Sequence, residues 1–131
     1  MVAVELKLLM AAVVIGFAQL MWAAAAARRQ QDLKWAAGSR DTPKPVTGVA
    51  ARLQRAFWNF VETFPLFAAA ILTDAVAGKL GGSLTLWGAA LYVGGRAAYV
   101  PLYATGVPIV RSVVWGVSIV GLGMTVVALF R

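Results

Sequence analysis

The sequence predicts an all-α integral membrane protein, built as a bundle of four spanning helices. Three observations carry that expectation. Hydrophobic residues make up 61% of the 131-residue chain and charged residues 13%, against about 45–50% and about 25% in ordinary soluble domains. Apolar stretches of bilayer-crossing length, about 20 residues, recur four times. Seven of the twelve Lys and Arg residues (Arg28, Arg29, Lys34, Arg40, Lys44, Arg52 and Arg55) fall between residues 28 and 55, where only Asp32 and Asp41 oppose them. Cations gathered between two spans mark a loop on the cytoplasmic side of a membrane. The length suits a single domain covering residues 1–131.

The first span is expected over about residues 5–27. Its run "LLMAAVVIGFAQLMWAAAAA" is apolar except for Gln19 and is bracketed by Lys7 and Arg28. A signal peptide would have a shorter apolar region and would not be followed by three more spans. Residues 28–54 form a polar connection. Within it "GSRDTPKP" collects turn formers, and Pro43 and Pro45 both oppose regular helix. The second span runs over about 47–77. "DAVAGKLGGS" (74–83) is a short turn with Gly78, Gly81 and Gly82 as breakers. The third span covers about 84–104, "ATGVP" is the next turn, and the fourth span covers about 109–130. Tight turns make successive spans antiparallel, so Arg55, Arg96 and Arg111 collect at one membrane face.

Five tryptophans lie mostly near span ends, as an interfacial belt does. Gly88, Ala89, Gly94 and Gly95 suit close helix approach. Pro65 and Pro101 sit inside spans and interrupt their hydrogen bonding. The chain has no Cys and no His. That removes disulfides, protein thiolates, imidazole bases and the usual zinc ligands, so no metal site is expected. The formal net charge of +7 is not organised as a basic domain, and "GGRAAY" lacks the phosphate-loop pattern. No nucleic-acid partner is implied.

The informative residues are polar ones inside the spans. In "RAFWNFVETFPLF" (55–67), Arg55, Asn59 and Glu62 follow at i, i+4 and i+7 and so share a helical face. In "RAAYVPLY" (96–103), Arg96, Tyr99 and Tyr103 follow at i, i+3 and i+7. A charge facing lipid costs about 2.5–3.5 kcal/mol, so both stripes are expected to point at another helix or at a ligand. One reading is an interhelical clamp in which Glu62 neutralises Arg55 or Arg96. The other starts from the excess of cations. One carboxylate cannot neutralise Arg55, Arg96 and Arg111, and guanidinium groups bind carboxylates in bidentate fashion. An anionic ligand near the membrane surface fits that surplus.

These residues resemble a known family. "RAFWNFVETFPLF" resembles the second-helix motif R-x-x-x-N-x-x-E-x-F-P-x-F of the MAPEG family, the membrane-associated proteins in eicosanoid and glutathione metabolism. "RAAYVPLY" resembles its third-helix R-x-x-[YH]-x-x-x-Y, and "PIVRSVVW" (108–115) the start of its fourth helix. "KWAAGSRD" (34–41) is similar to its first loop in setting a basic residue seven positions before an acid. The resemblance covers nearly the whole chain. It implies a four-helix transmembrane bundle assembled as a homotrimer, with glutathione held between subunits near the cytoplasmic face.

By matched position, the resemblance makes Arg55, Asn59, Glu62, Arg96, Tyr99 and Tyr103 glutathione-binding residues. Arg111 becomes the group that stabilises the thiolate, with Ser112 beside it and Asp41 as a further candidate in the loop. Glutathione carries two carboxylates and one ammonium, which match several guanidinium groups and one carboxylate. Thr63 stands where leukotriene-forming members carry Tyr, and the loop is compact. The chain therefore resembles a bacterial member, and eicosanoid synthesis is not implied.

The expected function is that of a glutathione transferase or peroxidase acting on lipophilic electrophiles or hydroperoxides. The expected location is the bacterial inner membrane with the 28–45 loop cytoplasmic, and membrane lipid as surroundings. Two alternatives remain open: a small multidrug-type transporter, and a non-catalytic membrane scaffold. The transporters carry a buried Glu in the middle of the first span, whereas here the only acid near that span is Glu5 at its end.

Overall fold

The computed structural model describes residues 1–131 and is entirely helical. Four long helices are joined by one long connection and two tight turns. They are α1 (Val4–Arg28), α3 (Gly48–Val76), α4 (Ser83–Ala104) and α5 (Pro108–Ala128). The fifth, α2 (Leu33–Ala37), is a short helix within the connection. The expected count of four therefore becomes five. Asp32 explains the addition: its carboxylate accepts a hydrogen bond from the Trp35 backbone N–H at 2.8 Å and caps the new helix.

The expectation of four membrane spans is met only in part. Helices α1, α3 and α5 are long and apolar enough to cross a membrane, and α4 is not among them. Its sequence includes Arg96, Tyr92, Tyr99, Tyr103 and Thr85, which lower its hydropathy. Yet α4 holds more buried residues than any other helix. It lies against α1, α3 and α5, so its polar groups face protein.

Two seams position the bundle. Helices α4 and α5 approach through small residues. A Cβ placed on Gly88 would lie 2.8 Å from the Gly121 carbonyl oxygen, and one on Gly95 would lie 2.9 Å from Ser118 Cβ. Gly94, by contrast, has nothing within 4 Å and plays no part in this seam. The central core joins α1, α3, α4 and α5 through Leu9, Ala12, Phe67, Ile71, Tyr92 and Leu122. Phe67 and Tyr92 stack with ring centroids 4.1 Å apart. The Tyr92 hydroxyl is satisfied by Thr63 at 2.9 Å, so a buried phenol is not left without a partner.

The turns follow local chemistry. Gly78 and Gly106 adopt positive φ of 72° and 78° just after α3 and α4, a conformation glycine takes without strain. Pro108 starts α5, where its missing N–H has no helical acceptor to lose. The long connection is tied down by side chains. Gln30 exchanges hydrogen bonds with the Thr47 backbone at 2.8 and 3.0 Å, and the Trp35 indole N–H donates to Thr42 O at 2.8 Å.

Candidate functional site

The start of α3, the C-terminal part of α4 and the start of α5 bring four arginines together. Antiparallel packing places the N-terminal part of α3 beside the C-terminal part of α4, and the Gly106 turn returns α5 to the same level. At this level, Arg52 Nε donates to the Ala104 carbonyl at 3.0 Å. Arg55 Nε donates to the Tyr103 hydroxyl at 3.1 Å. The Arg111 guanidinium lies over the Tyr103 ring, 4.4 Å from its centre. One tyrosine thus receives an arginine from α3 on its hydroxyl and another from α5 on its face.

Arg96 forms the deeper part of the cluster. It is 0% exposed. Its Nη1 donates to Asn59 Oδ1 at 2.8 Å, and its guanidinium lies 4.4 Å from the centre of the Tyr99 ring. A cation over an aromatic face gains about 0.5–2 kcal/mol, more where water is excluded. Tyr99 in turn meets Tyr103 edge to face, with centroids 5.4 Å apart. A continuous chain therefore runs from Asn59 through Arg96, Tyr99 and Tyr103 to Arg55 and Arg111. Arg96 Nε and Nη2 are buried without any hydrogen-bond partner. An uncompensated buried charge costs several kcal/mol.

The clamp that one reading set between Glu62 and an arginine does not form within the chain. The one ion pair in the chain is Lys44–Asp32, 4.0 Å apart in the long connection. Arg96 takes the Asn59 amide instead, and Glu62 is exposed on the flank of α3. Three residues along a helix separate two side chains by about 60° around its axis. That rotation directs Asn59 to α4 and leaves Glu62 outside. Within the chain, Arg55 and Asn59 of this stripe reach α4 and Glu62 does not.

Two other candidates lie apart from the cluster's contacts. Ser112 is exposed, and its hydroxyl donates to Pro108 O at 3.1 Å within its own helix. Asp41 lines a shallow depression of the connection with Lys34, Trp35, Arg40 and Lys44. What the cluster offers chemically is a set of guanidinium donors with aromatic walls and no carboxylate within ion-pair reach. Such a set is suited to an anion.

Sequence reasoning noted Gln19 and Glu5 without giving either a role, and it passed over Asp74. Gln19 on α1 is 2% exposed, with both amide atoms unpartnered. Glu5 and Asp74 are buried at the opposite end of the bundle. Their one sequence signal is position: each is an acid just inside the end of an apolar helix.

No curated protein and no solved structure matches the chain at a significant level. Three helices long and apolar enough to cross a membrane, together with a family match, make it an integral membrane protein. A protein-family model does match residues 8–131, nearly the whole length, and by that match the chain belongs to the MAPEG family.

Proposed function

We propose that this protein is a glutathione-dependent membrane enzyme of the transferase or peroxidase type, working on lipophilic electrophiles or hydroperoxides as a homotrimer. The observation that carries the reading is Arg96, fully buried with two guanidinium nitrogens unpartnered, in a cluster without a carboxylate. MAPEG membership is consistent with a glutathione-related role. Glutathione supplies a thiol, the nucleophile that a chain without Cys or His lacks.

Arg96 and Arg55 bind its carboxylates, with Asn59, Tyr99 and Tyr103 fixing their orientation. Glu62 pairs with its ammonium. Exposed on one chain, Glu62 is covered when a neighbouring subunit packs against α3, which avoids the cost of a carboxylate in lipid. Arg111, held over Tyr103 at the start of α5, sits beside the thiol and favours its deprotonated form. A free thiol has a pKa of about 8.5, and each unit of lowering is worth about 1.4 kcal/mol. In the transferase reaction the thiolate sulfur forms a bond to an electrophilic carbon as that carbon's bond to its leaving group breaks, the leaving group departing with the bonding pair. Ser112 and Asp41 serve as supporting groups when subunits assemble. The 28–45 loop is cytoplasmic, by its excess of Lys and Arg, in a bacterial inner membrane.

The transporter alternative gains nothing from Glu5. It lies one residue into α1 and is bonded to Gly81 and Thr85, not placed in mid-span. Calorimetry of the detergent-solubilised protein with glutathione tests the reading. Parent protein should bind, and Arg96→Lys, which keeps charge but loses the planar fork, should bind at least tenfold more weakly. Native mass spectrometry should give a trimer. A parent protein that takes up no glutathione, or a clean monomer, would overturn the proposal.

A further inference from the structure

The end of the bundle opposite the arginines holds a second polar anomaly. Glu5 and Asp74 are each 1% exposed. Glu5 is well satisfied: one oxygen accepts from the Gly81 N–H and the Thr85 hydroxyl, both at 2.6 Å. Asp74 is not. Neither of its carboxylate oxygens has a hydrogen-bond partner. The charged groups that bear on it are Glu5 on α1 and Lys79 in the following turn. Lys79 forms no ion pair with it, since Lys44–Asp32 is the only pair in the chain. An ionised carboxylate held from water without a donor is unfavourable by several kcal/mol, and a like charge nearby adds to that.

Asp74 lines a cavity of about 390 Å³ between α3 and α5, within the range of small-molecule sites. The other walls are almost wholly apolar, with Leu66, Ala70, Leu122, Val126 and Phe130 prominent. Two threonines also line it, but their hydroxyls are spent within their own helices. Thr73 donates to Ala69 O at 2.7 Å and Thr125 to Leu122 O at 2.6 Å. No group of acidic side chains is arranged to hold a metal ion. The guest that fits must bring positive charge, N–H donors and an apolar body.

We propose that this cavity binds a protonated lipophilic amine, its ammonium at Asp74 and its chain along the α3–α5 seam. The geometry suits an amphiphile in a bilayer. Asp74 lies two residues from the end of α3, a helix long and apolar enough to cross a membrane. Leu66 lies eight residues deeper, about 12 Å along the helix, so the tail runs toward the membrane centre. The site shares no residue with the proposed glutathione cluster.

The test uses the full chain in an uncharged maltoside detergent at neutral pH, with decylamine as probe and decanol as its neutral counterpart. Decylamine should raise the thermal unfolding midpoint saturably, and decanol should not. Asp74→Asn should abolish the rise. Val126→Trp, which fills the cavity from a half-exposed wall position, should abolish it with the carboxylate intact; this variant decides the matter if Asp74→Asn fails to fold. No amine-specific rise in the parent, or an equal rise in either variant, overturns the proposal.

Discussion

Gly121→Ala probes the seam that holds α5, and with it Arg111, against α4. A Cβ at Gly121 would sit 2.5 Å from the Gly88 carbonyl oxygen, 2.6 Å from the Tyr92 backbone nitrogen and 2.9 Å from Leu91 Cβ. Ordinary contact begins at 3.4 Å, so the nearest pair must separate by 3.4 − 2.5, or 0.9 Å. Two of the three obstacles are backbone atoms of α4, which cannot swing aside. The helices must part instead. Overpacking of this kind costs about 1–3 kcal/mol, and a clash with backbone belongs at the upper end. Alanine also recovers up to about 1 kcal/mol of helix propensity over glycine.

Gly123 removes that ambiguity. It lies on the same helix with nothing within 4 Å of its added Cβ. Gly123→Ala therefore gains the propensity without the clash, and the difference between the two variants isolates the packing term. The assay is reversible unfolding in mixed micelles of increasing denaturing detergent. Gly121→Ala should be less stable than Gly123→Ala by about 2–3 kcal/mol. Equal stability would mean that α4 and α5 do not approach as described.

Two further outcomes are expected. Tyr103→Phe removes the acceptor of Arg55 Nε and keeps the ring beneath Arg111; glutathione affinity should fall by the worth of one hydrogen bond, about 0.5–1.5 kcal/mol, while Tyr103→Leu, which removes the ring as well, should lose more by the same calorimetry. The chain has no cysteine of its own, so Ser39→Cys and Ser83→Cys can be labelled in intact cells with an impermeant maleimide; Ser83→Cys should react and Ser39→Cys should not, and the reverse pattern would invert the proposed orientation.

Much of the helical punctuation was legible in the sequence because it is chemically local. Gly78 and Gly106 supply the left-handed backbone that ends α3 and α4, and Pro108 opens α5. The gathering of Arg55, Arg96 and Arg111 at one end of the bundle was legible too, since antiparallel helices with tight turns bring the start of one span beside the end of the last. What periodicity could not supply was the neighbour on each face. Asn59 and Glu62 both belong to one stripe, yet Asn59 reaches Arg96 and Glu62 faces outward. The low hydropathy of α4 has a related cause: Arg96 and the tyrosines count as costs, although the other helices enclose them. The unpartnered Asp74 was invisible because its burial depends on α1 and α5, distant in sequence.

The proposed function requires the arginine cluster to act as the seat of a thiolate. Ultraviolet absorbance of the thiolate, followed against pH with glutathione bound to the detergent-solubilised protein, tests this directly. Free thiols ionise near a pKa of about 8.5. In the parent protein the midpoint should fall by one to two units, about 1.4 kcal/mol for each. In Arg111→Ala, still folded and still binding through Arg96 and Arg55, it should return toward the free value. A bound thiol that ionises in the parent at the same pH as free glutathione would contradict the account.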